Sequence, residues 1–252
     1  MSNPAALQTI ELRKSFGSFA VTGGVDFRLE HGARHALIGP NGAGKTTFIN
    51  LVSGALRPTS GNVLLEGDDV TELPQSTRVK RGLIRTFQIN QLFRRLSVLE
   101  NVTLAIAERE GVAGNVTRPA GHHRAIIDEA HATLDMLGLA ADIGHPITDL
   151  PYGRQRLVEI AIALGLKPKV LLLDEPAAGV PTGESGRIVD LIDRLPVDIA
   201  VLLIEHDMDL VFRFARRITV LVEGKILIEG APAEIARDPQ VRRVYLGERT
   251  KP

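Results

Sequence analysis

A chain of 252 residues that is 44% hydrophobic and 24% charged is long enough to bury the core of one large domain, or of a domain with a subdomain. Thirty Lys and Arg balance thirty Asp and Glu, so the basic excess of a nucleic-acid binder is missing, and without cysteine there is neither a disulfide framework nor a thiolate site. The start, Met-Ser-Asn-Pro-Ala-Ala, has no secretory signal pattern, and the longest apolar runs, Val170–Leu173 and Ile199–Ile204, fall far short of the ~20 residues that span a bilayer, so any membrane role is expected to run through a partner.

β-type residues at Leu7–Leu12 and Val25–Leu29 predict two strands ahead of a short buried one, Arg34–Ile38. A helix is expected over Thr46–Ser53, with Gly54 as its stop, and a short strand over Asn62–Glu66. Helical spacing of apolar residues recurs over Val98–Glu108 and His122–Leu137, on either side of a Gly-rich segment, Gly111–Gly121, read as an exposed loop. Arg154–Leu166 is an amphipathic helix with Leu157, Ile160, Ala161 and Leu164 on one stripe. Then follow a buried strand, Val170–Leu173, a helix, Gly186–Leu195, a second buried strand, Ile199–Ile204, and a helix, Asp207–Ala215. The last pattern pairs Arg217–Val222 with Lys225–Glu229 across Glu223-Gly224, a hairpin signal. Continuous apolar strands alternating with helices predict a mainly parallel sheet covered on both faces, an α/β fold.

Residues 39–47 read Gly-Pro-Asn-Gly-Ala-Gly-Lys-Thr-Thr and fill every fixed position of G-x-x-x-x-G-K-[ST], between a predicted strand and a predicted helix. Gly39, Gly42 and Gly44 permit backbone angles that a Cβ forbids, so that the N–H groups of Pro40-Asn41-Gly42-Ala43-Gly44 and of the following Lys45, Thr46 and Thr47, proline excepted, can close on phosphates. Lys45 is the mobile cation for the β- and γ-phosphates, and the Thr46 hydroxyl is placed to ligate Mg2+. The chain is therefore expected to bind a nucleoside triphosphate. A second phosphate-site motif is Val170-Leu-Leu-Leu-Asp174-Glu175, an apolar strand ending in two acids. Asp174 suits Mg2+, and Glu175 suits the general base that activates water.

Gly39–Thr47, Gln88, Leu150–Arg156, Leu173–Pro176 and His206 stand in the order of the ATP-binding cassette (ABC) ATPases, and the resemblance covers nearly the whole chain. Leu150-Pro-Tyr-Gly-Arg-Gln-Arg156 resembles the family's signature. Its Tyr-Gly-x-Gln-Arg form is similar to the branched-chain amino-acid importers, as are Arg85-Thr-Phe-Gln88, Leu92–Val102 and the Tyr-Leu-Gly-Glu tail. The resemblance implies a P-loop NTPase fold, with a mainly parallel core sheet, an antiparallel β subdomain and an α-helical subdomain over about 98–149. It implies ATP and Mg2+ as cofactors, Phe16 stacked on adenine, Gln88 sensing Mg2+ and the attacking water, and His206 contacting the γ-phosphate. It implies that Pro151, Tyr152, Gly153, Arg154 and Gln155 face the nucleotide of a second ATPase subunit. It also implies membrane permeases docked near Gln88–Val102, where Leu92, Phe93 and Leu96 form an apolar cluster beside Arg94 and Arg95, read equally as a docking patch or as ordinary subdomain core. A periplasmic solute-binding protein would act indirectly, no nucleic acid is involved, and the expected place is the cytoplasmic face of the inner membrane.

Two positions depart from the family pattern. Pro151 stands where the signature has Ser, and Pro181 where the loop after the acidic strand has Asp or Asn; proline brings neither a hydroxyl nor an N–H. Both fall on the surface implied to face the partner's nucleotide. They leave open a nucleotide switch with little hydrolysis and a heterodimer with unequal sites; a lipid-exporting relative is a separate alternative, against which the Tyr-Gly signature and Thr86-Phe87-Gln88 argue.

Overall fold

The computed structural model describes residues 4–86, 92–113 and 124–246. Among the described residues, ten strands form two sheets. The smaller holds β1 (Leu7–Phe16), β2 (Phe19–Leu29), β4 (Ser60–Leu65) and β5 (Asp68–Asp69) in the antiparallel order β2-β1-β4-β5. The larger holds β3 (Arg34–Ile38), β6 (Leu83–Arg85), β7 (Val170–Asp174), β8 (Ala200–Ile204), β9 (Arg217–Val222) and β10 (Lys225–Gly230) in the order β10-β9-β3-β8-β7-β6. Its pairs are parallel except β9–β10. At that hairpin's turn Glu223 and Gly224 both lie at positive φ, as a type I′ turn requires.

The apolar runs of the larger sheet are buried on both sides because alternate side chains enter different cores. Leu37, Leu172, Leu202 and Leu221 join the face covered by α1 (Lys45–Ser53) and the antiparallel sheet, with Phe48, Ile49, Val63 and Phe27. Ile38, Leu171, Leu173, Leu203 and Val220 join the other face. There they meet α5 (Tyr152–Gly165), α6 (Thr182–Asp193) and α7 (Met208–Phe214), through Val158, Val189 and Phe214. α3 (Val98–Arg109) and α4 (Arg124–Met136) pack on α5; Val102, Ile106, Ala130 and Leu134 are fully buried. Ser97 and Glu100 close a capping box at the start of α3.

The short helix α2 (Gln75–Lys80) is absent from the sequence reading, and its purpose lies in one side chain. Arg78 is fully buried, and its guanidinium donates to Leu51 O, Val52 O, Thr71 O and Leu73 O at 2.6–3.0 Å, which satisfies orphan carbonyls at the end of α1. α8 (Pro232–Arg237) and α9 (Pro239–Leu246) are the last of the described elements. At the start of β3, the end of the strand away from the phosphate loop, His35 is buried against the Phe27 ring, 5.0 Å between centroids, with Nε2 2.8 Å from Thr219 Oγ1.

Candidate nucleotide-binding site

β3 delivers the loop 39–44, and α1 begins directly at Lys45, with Gly44 as its N-cap in the left-handed region at φ 97°. The N-terminal N–H groups of α1 therefore point at the loop and supply an anion site with the helix dipole behind it. A side chain at Gly39 is impossible, because its Cβ would lie 2.2 Å from Leu221 O on β9. A Cβ at Gly42 would meet nothing within 4 Å, so that glycine serves the turn, at φ 80°, rather than the packing. The outer side of the loop is braced by backbone: Gly224 N donates to Ala43 O at 2.9 Å, and Gly23 N donates to Gly224 O at 2.9 Å.

Lys45 folds back over this loop. Its Nζ donates to Gly39 O at 2.6 Å and Pro40 O at 3.1 Å. Burial lowers the lysine pKa, and Glu175 and Asp174 oppose that shift. Both acids thus act electrostatically on the ammonium. Thr46, in the first turn of α1, is exposed, and Thr47 is half-buried.

β7 and β8 end level, with Asp174 opposite Ile204. Their next residues therefore emerge side by side: Glu175, then Glu205 and His206. Glu175 sits at φ 48° and its N–H donates to Ile204 O at 2.9 Å. That turn lifts its carboxylate out of the sheet, 3.7 Å from His206 Nδ1. His206 Nδ1 is also 3.7 Å from Glu205 Oε2. Glu205 is buried, accepts from the N–H groups of Ala177 and His206 at 3.2 Å each, and has a raised pKa through burial. It ties the two strand-end loops together. The sequence reading passed over Glu205 because an acid behind an apolar strand reads as solvated; its neighbour His206 was the signal.

Phe16 is 54% exposed at the end of β1, opposite Phe19, which is 71% exposed, and Lys14 Nζ lies 5.1 Å from the Phe16 ring centre. Phe16 is therefore a surface aromatic and not core. Its hairpin abuts the loop, since a Cβ on Gly44 would lie 3.0 Å from Val21 O on β2. Phe19 was missed; its signal is the three-residue spacing across the Gly17 turn.

The signature residues gather at the start of α5, with Pro151 as N-cap. Pro181 is likewise the N-cap of α6, and neither proline offers a side-chain cap. The two helix starts meet: a Cβ on Gly153 would lie 3.1 Å from Glu184 Oε2, and one on Gly179 would lie 3.1 Å from the Tyr152 ring. Arg154 donates to Asp142 Oδ2 at 2.6 Å, and Gln155 to Leu150 O at 2.8 Å. Gln88 lies outside the described residues. Of the apolar trio nearby, Leu92 is buried, Leu96 half-buried and Phe93 exposed.

The C-terminal helix also returns to the loop. The Tyr245 hydroxyl oxygen is shielded from solvent and faces the Gly39 amide without reaching full hydrogen-bond geometry; burial pushes the phenol up to about 12.

A phosphate loop between strand and helix, two acids at the end of the strand two places along the sheet and a histidine from the strand between them define a nucleotide-hydrolysing cassette. The chain belongs to the ABC transporter family, whose model matches residues 22–178. A further model, described as branched-chain amino acid ATP-binding cassette transporter, matches residues 225–250. As a family member the protein is an ATPase. It is 37% identical to the high-affinity branched-chain amino acid transport ATP-binding protein LivG of Escherichia coli (strain K12) over 255 residues, covering 98% of this chain and 100% of that one. Its fold matches a nucleotide-free ATP-binding cassette from an ABC transporter, with a TM-score of 0.84 and 31% identity over 96% of this chain and 99% of the other. It also matches a dimeric bacterial ABC transporter cassette, with a TM-score of 0.75 and 25% identity over 90% and 98% of the two chains. Among the described residues, no helix is long and apolar enough to cross a membrane.

Proposed function

We propose that the chain is the ATP-hydrolysing subunit of an importer for branched-chain amino acids or related small solutes. The observation that carries this reading is the match of residues 225–250 to the branched-chain family, a region outside the part matched as a general cassette. Reconstitution with its permease subunits tests it. ATP turnover stimulated by leucine, isoleucine or valine, delivered on a binding protein, is expected. Stimulation only by an unrelated solute class would refute it.

In this reading the N–H groups of residues 41–47 cradle the triphosphate, Lys45 leaves the carbonyls of Gly39 and Pro40 for the β- and γ-phosphates, and adenine stacks on Phe16. Glu175 accepts the proton of the attacking water. His206, held beside it, orients the γ-phosphate. Thr46, Asp174 and Gln88 would hold Mg2+, which supplies charge neutralisation on the phosphate oxygens. The donor set fits an ion that arrives with its nucleotide. Among the described residues no three His, Cys, Asp or Glu side chains gather into a cage, so phosphate and water must complete the shell.

Pro151, Tyr152, Gly153, Arg154 and Gln155 face the nucleotide of a second cassette subunit. Closure of that pair is passed to integral-membrane permeases that dock near residues 88–102 and the helical subdomain, taken as about 98–149. The subunit works at the cytoplasmic face of the inner membrane, a periplasmic binding protein acts only through the permeases, and nucleic acid plays no part.

A further inference from the structure

Arg85 has no part in the phosphate chemistry above, and sheet register explains why it stands beside it. β6 pairs in parallel with β7, with Arg85 opposite Leu172. Residues paired across a sheet share a face, and side chains alternate along a strand, so Arg85 shares its face with Leu172 and Asp174. α1 covers that face, since Leu172 is buried in one cluster with Phe48, Ile49 and Val52. The guanidinium consequently reaches two acceptors on two elements. Nη1 donates to Asn50 Oδ1 on α1 at 2.6 Å, and Nη2 donates to Asp174 Oδ2 on β7 at 2.6 Å. The Arg85 and Asp174 side chains are 16% and 25% exposed, so solvent and salt screen the pair only in part.

We propose that Arg85 is a positioning residue for the Mg2+ side of the nucleotide site: it pins Oδ2 of Asp174 to α1 and so presents Oδ1 to the metal's hydration shell. The proposal rests on the reading of Asp174 as the carboxylate on that side. Asp174 Oδ1 takes no hydrogen bond from a described residue, whereas Oδ2 is committed. The guanidinium holds its two donors in one rigid plane, so a single cation sets Asn50 and Asp174 at a fixed separation in a way that an ammonium does not, which is why arginine and lysine differ at such a place. Asn50 is one turn beyond Thr46 on the same helix, so one rigid element carries both the Thr46 hydroxyl and the anchor of the Arg85 fork. Second-sphere partners of this kind govern how well a site holds its metal.

The test separates metal-dependent from metal-independent nucleotide binding. A fluorescent non-hydrolysable ATP analogue is titrated onto the full-length protein in excess EDTA and again in Mg2+. The proteins compared are wild type, Arg85→Met, Arg85→Lys and Asn50→Leu, with Asp174→Asn as reference. Arg85→Met is expected to leave the EDTA affinity within about twofold of wild type and to cut the tightening conferred by Mg2+ about tenfold. Arg85→Lys and Asn50→Leu are expected to cut that tightening by less, again with the EDTA affinity preserved. An undiminished Mg2+ effect in Arg85→Met, or equal losses with and without metal, overturns the proposal. Should Arg85→Met fail to fold, Arg85→Lys and Asn50→Leu decide by the same criterion. An Asp174→Asn protein that keeps the full Mg2+ effect refutes the underlying role of Asp174 itself, and the proposal with it.

Discussion

The ammonium of Lys45 and the carbonyl of Gly39 are 2.6 Å apart, so the lysine of the phosphate loop satisfies the loop's own backbone. Triphosphate must draw the cation off Gly39 and Pro40, and it compensates with charge-assisted hydrogen bonds worth ~1.5–3 kcal/mol each. Lys45→Ala is expected to lower ATP affinity and turnover together, by roughly one to two orders of magnitude. Equilibrium binding and steady-state ATPase rates check this; unchanged activity would end the reading of residues 39–47 as the nucleotide site.

Glu175→Gln keeps the shape of the side chain at its strained turn and removes the base. Turnover should fall roughly 10²-fold or more while ATP binding persists. ATP-bound dimers should then accumulate, visible by light scattering on a sizing column. Normal hydrolysis by the variant would move the base to Asp174 or His206.

Pro151 caps α5 without a side-chain hydrogen bond, so Pro151→Ser has two separable consequences. A serine N-cap adds ~0.5–1 kcal/mol of stability, read as a small rise in Tm. On the proposed function it also restores the hydroxyl expected to meet the partner's γ-phosphate. In a heterodimer with a partner of ordinary signature, turnover at the partner's site should rise, while the site built on this chain's Lys45 stays as it was. Single-site rates, with the opposite site silenced by its own Glu-to-Gln change, decide. Equal rates at both sites, unmoved by Pro151→Ser, would reduce the proline to a tolerated variant.

His35 predicts part of the acid response of the fold. Burial lowers its pKa to about 4; Glu229 opposes that shift and Arg217 adds to it. The unfolded chain binds a proton near pH 6.5 that the folded chain refuses until about pH 4. The stability contributed by neutral His35 is therefore full above pH 6.5 and is lost as pH falls toward 4, on the order of 3 kcal/mol in total. Urea unfolding over this range should show that slope in wild type and a flatter one in His35→Gln. Parallel slopes would remove His35 from the account.

Five of the six strands of the larger sheet, the loop motif and the paired acids were legible because each is written in a contiguous pattern: apolar runs or a hairpin signal for the strands, and fixed spacing for the phosphate loop. The limits of the reading are equally local. β6 spans three residues, too few for any period, and α2 is polar in sequence, since its purpose is to bury Arg78 against the end of α1. β1 and β2 run on to Phe16 and from Phe19 because bulges absorb Glu11 at φ 47° and Gly24 at φ 85°, where the alternation of side chains breaks. Within the site, Glu205, Phe19, Tyr245 and the link from Arg85 to Asp174 depend on which strand ends lie side by side, a matter of sheet order that spacing does not encode.

The brace behind the phosphate loop also dates its formation. Ala43 O receives the N–H of Gly224, and Gly23 N donates to Gly224 O, so the cradle is completed by the turn between the last two strands. A ribosome releases residues 39–47 well before residue 224, because chains emerge from the N-terminus. The nascent chain therefore carries the full nucleotide motif before the turn that braces it from behind has been made.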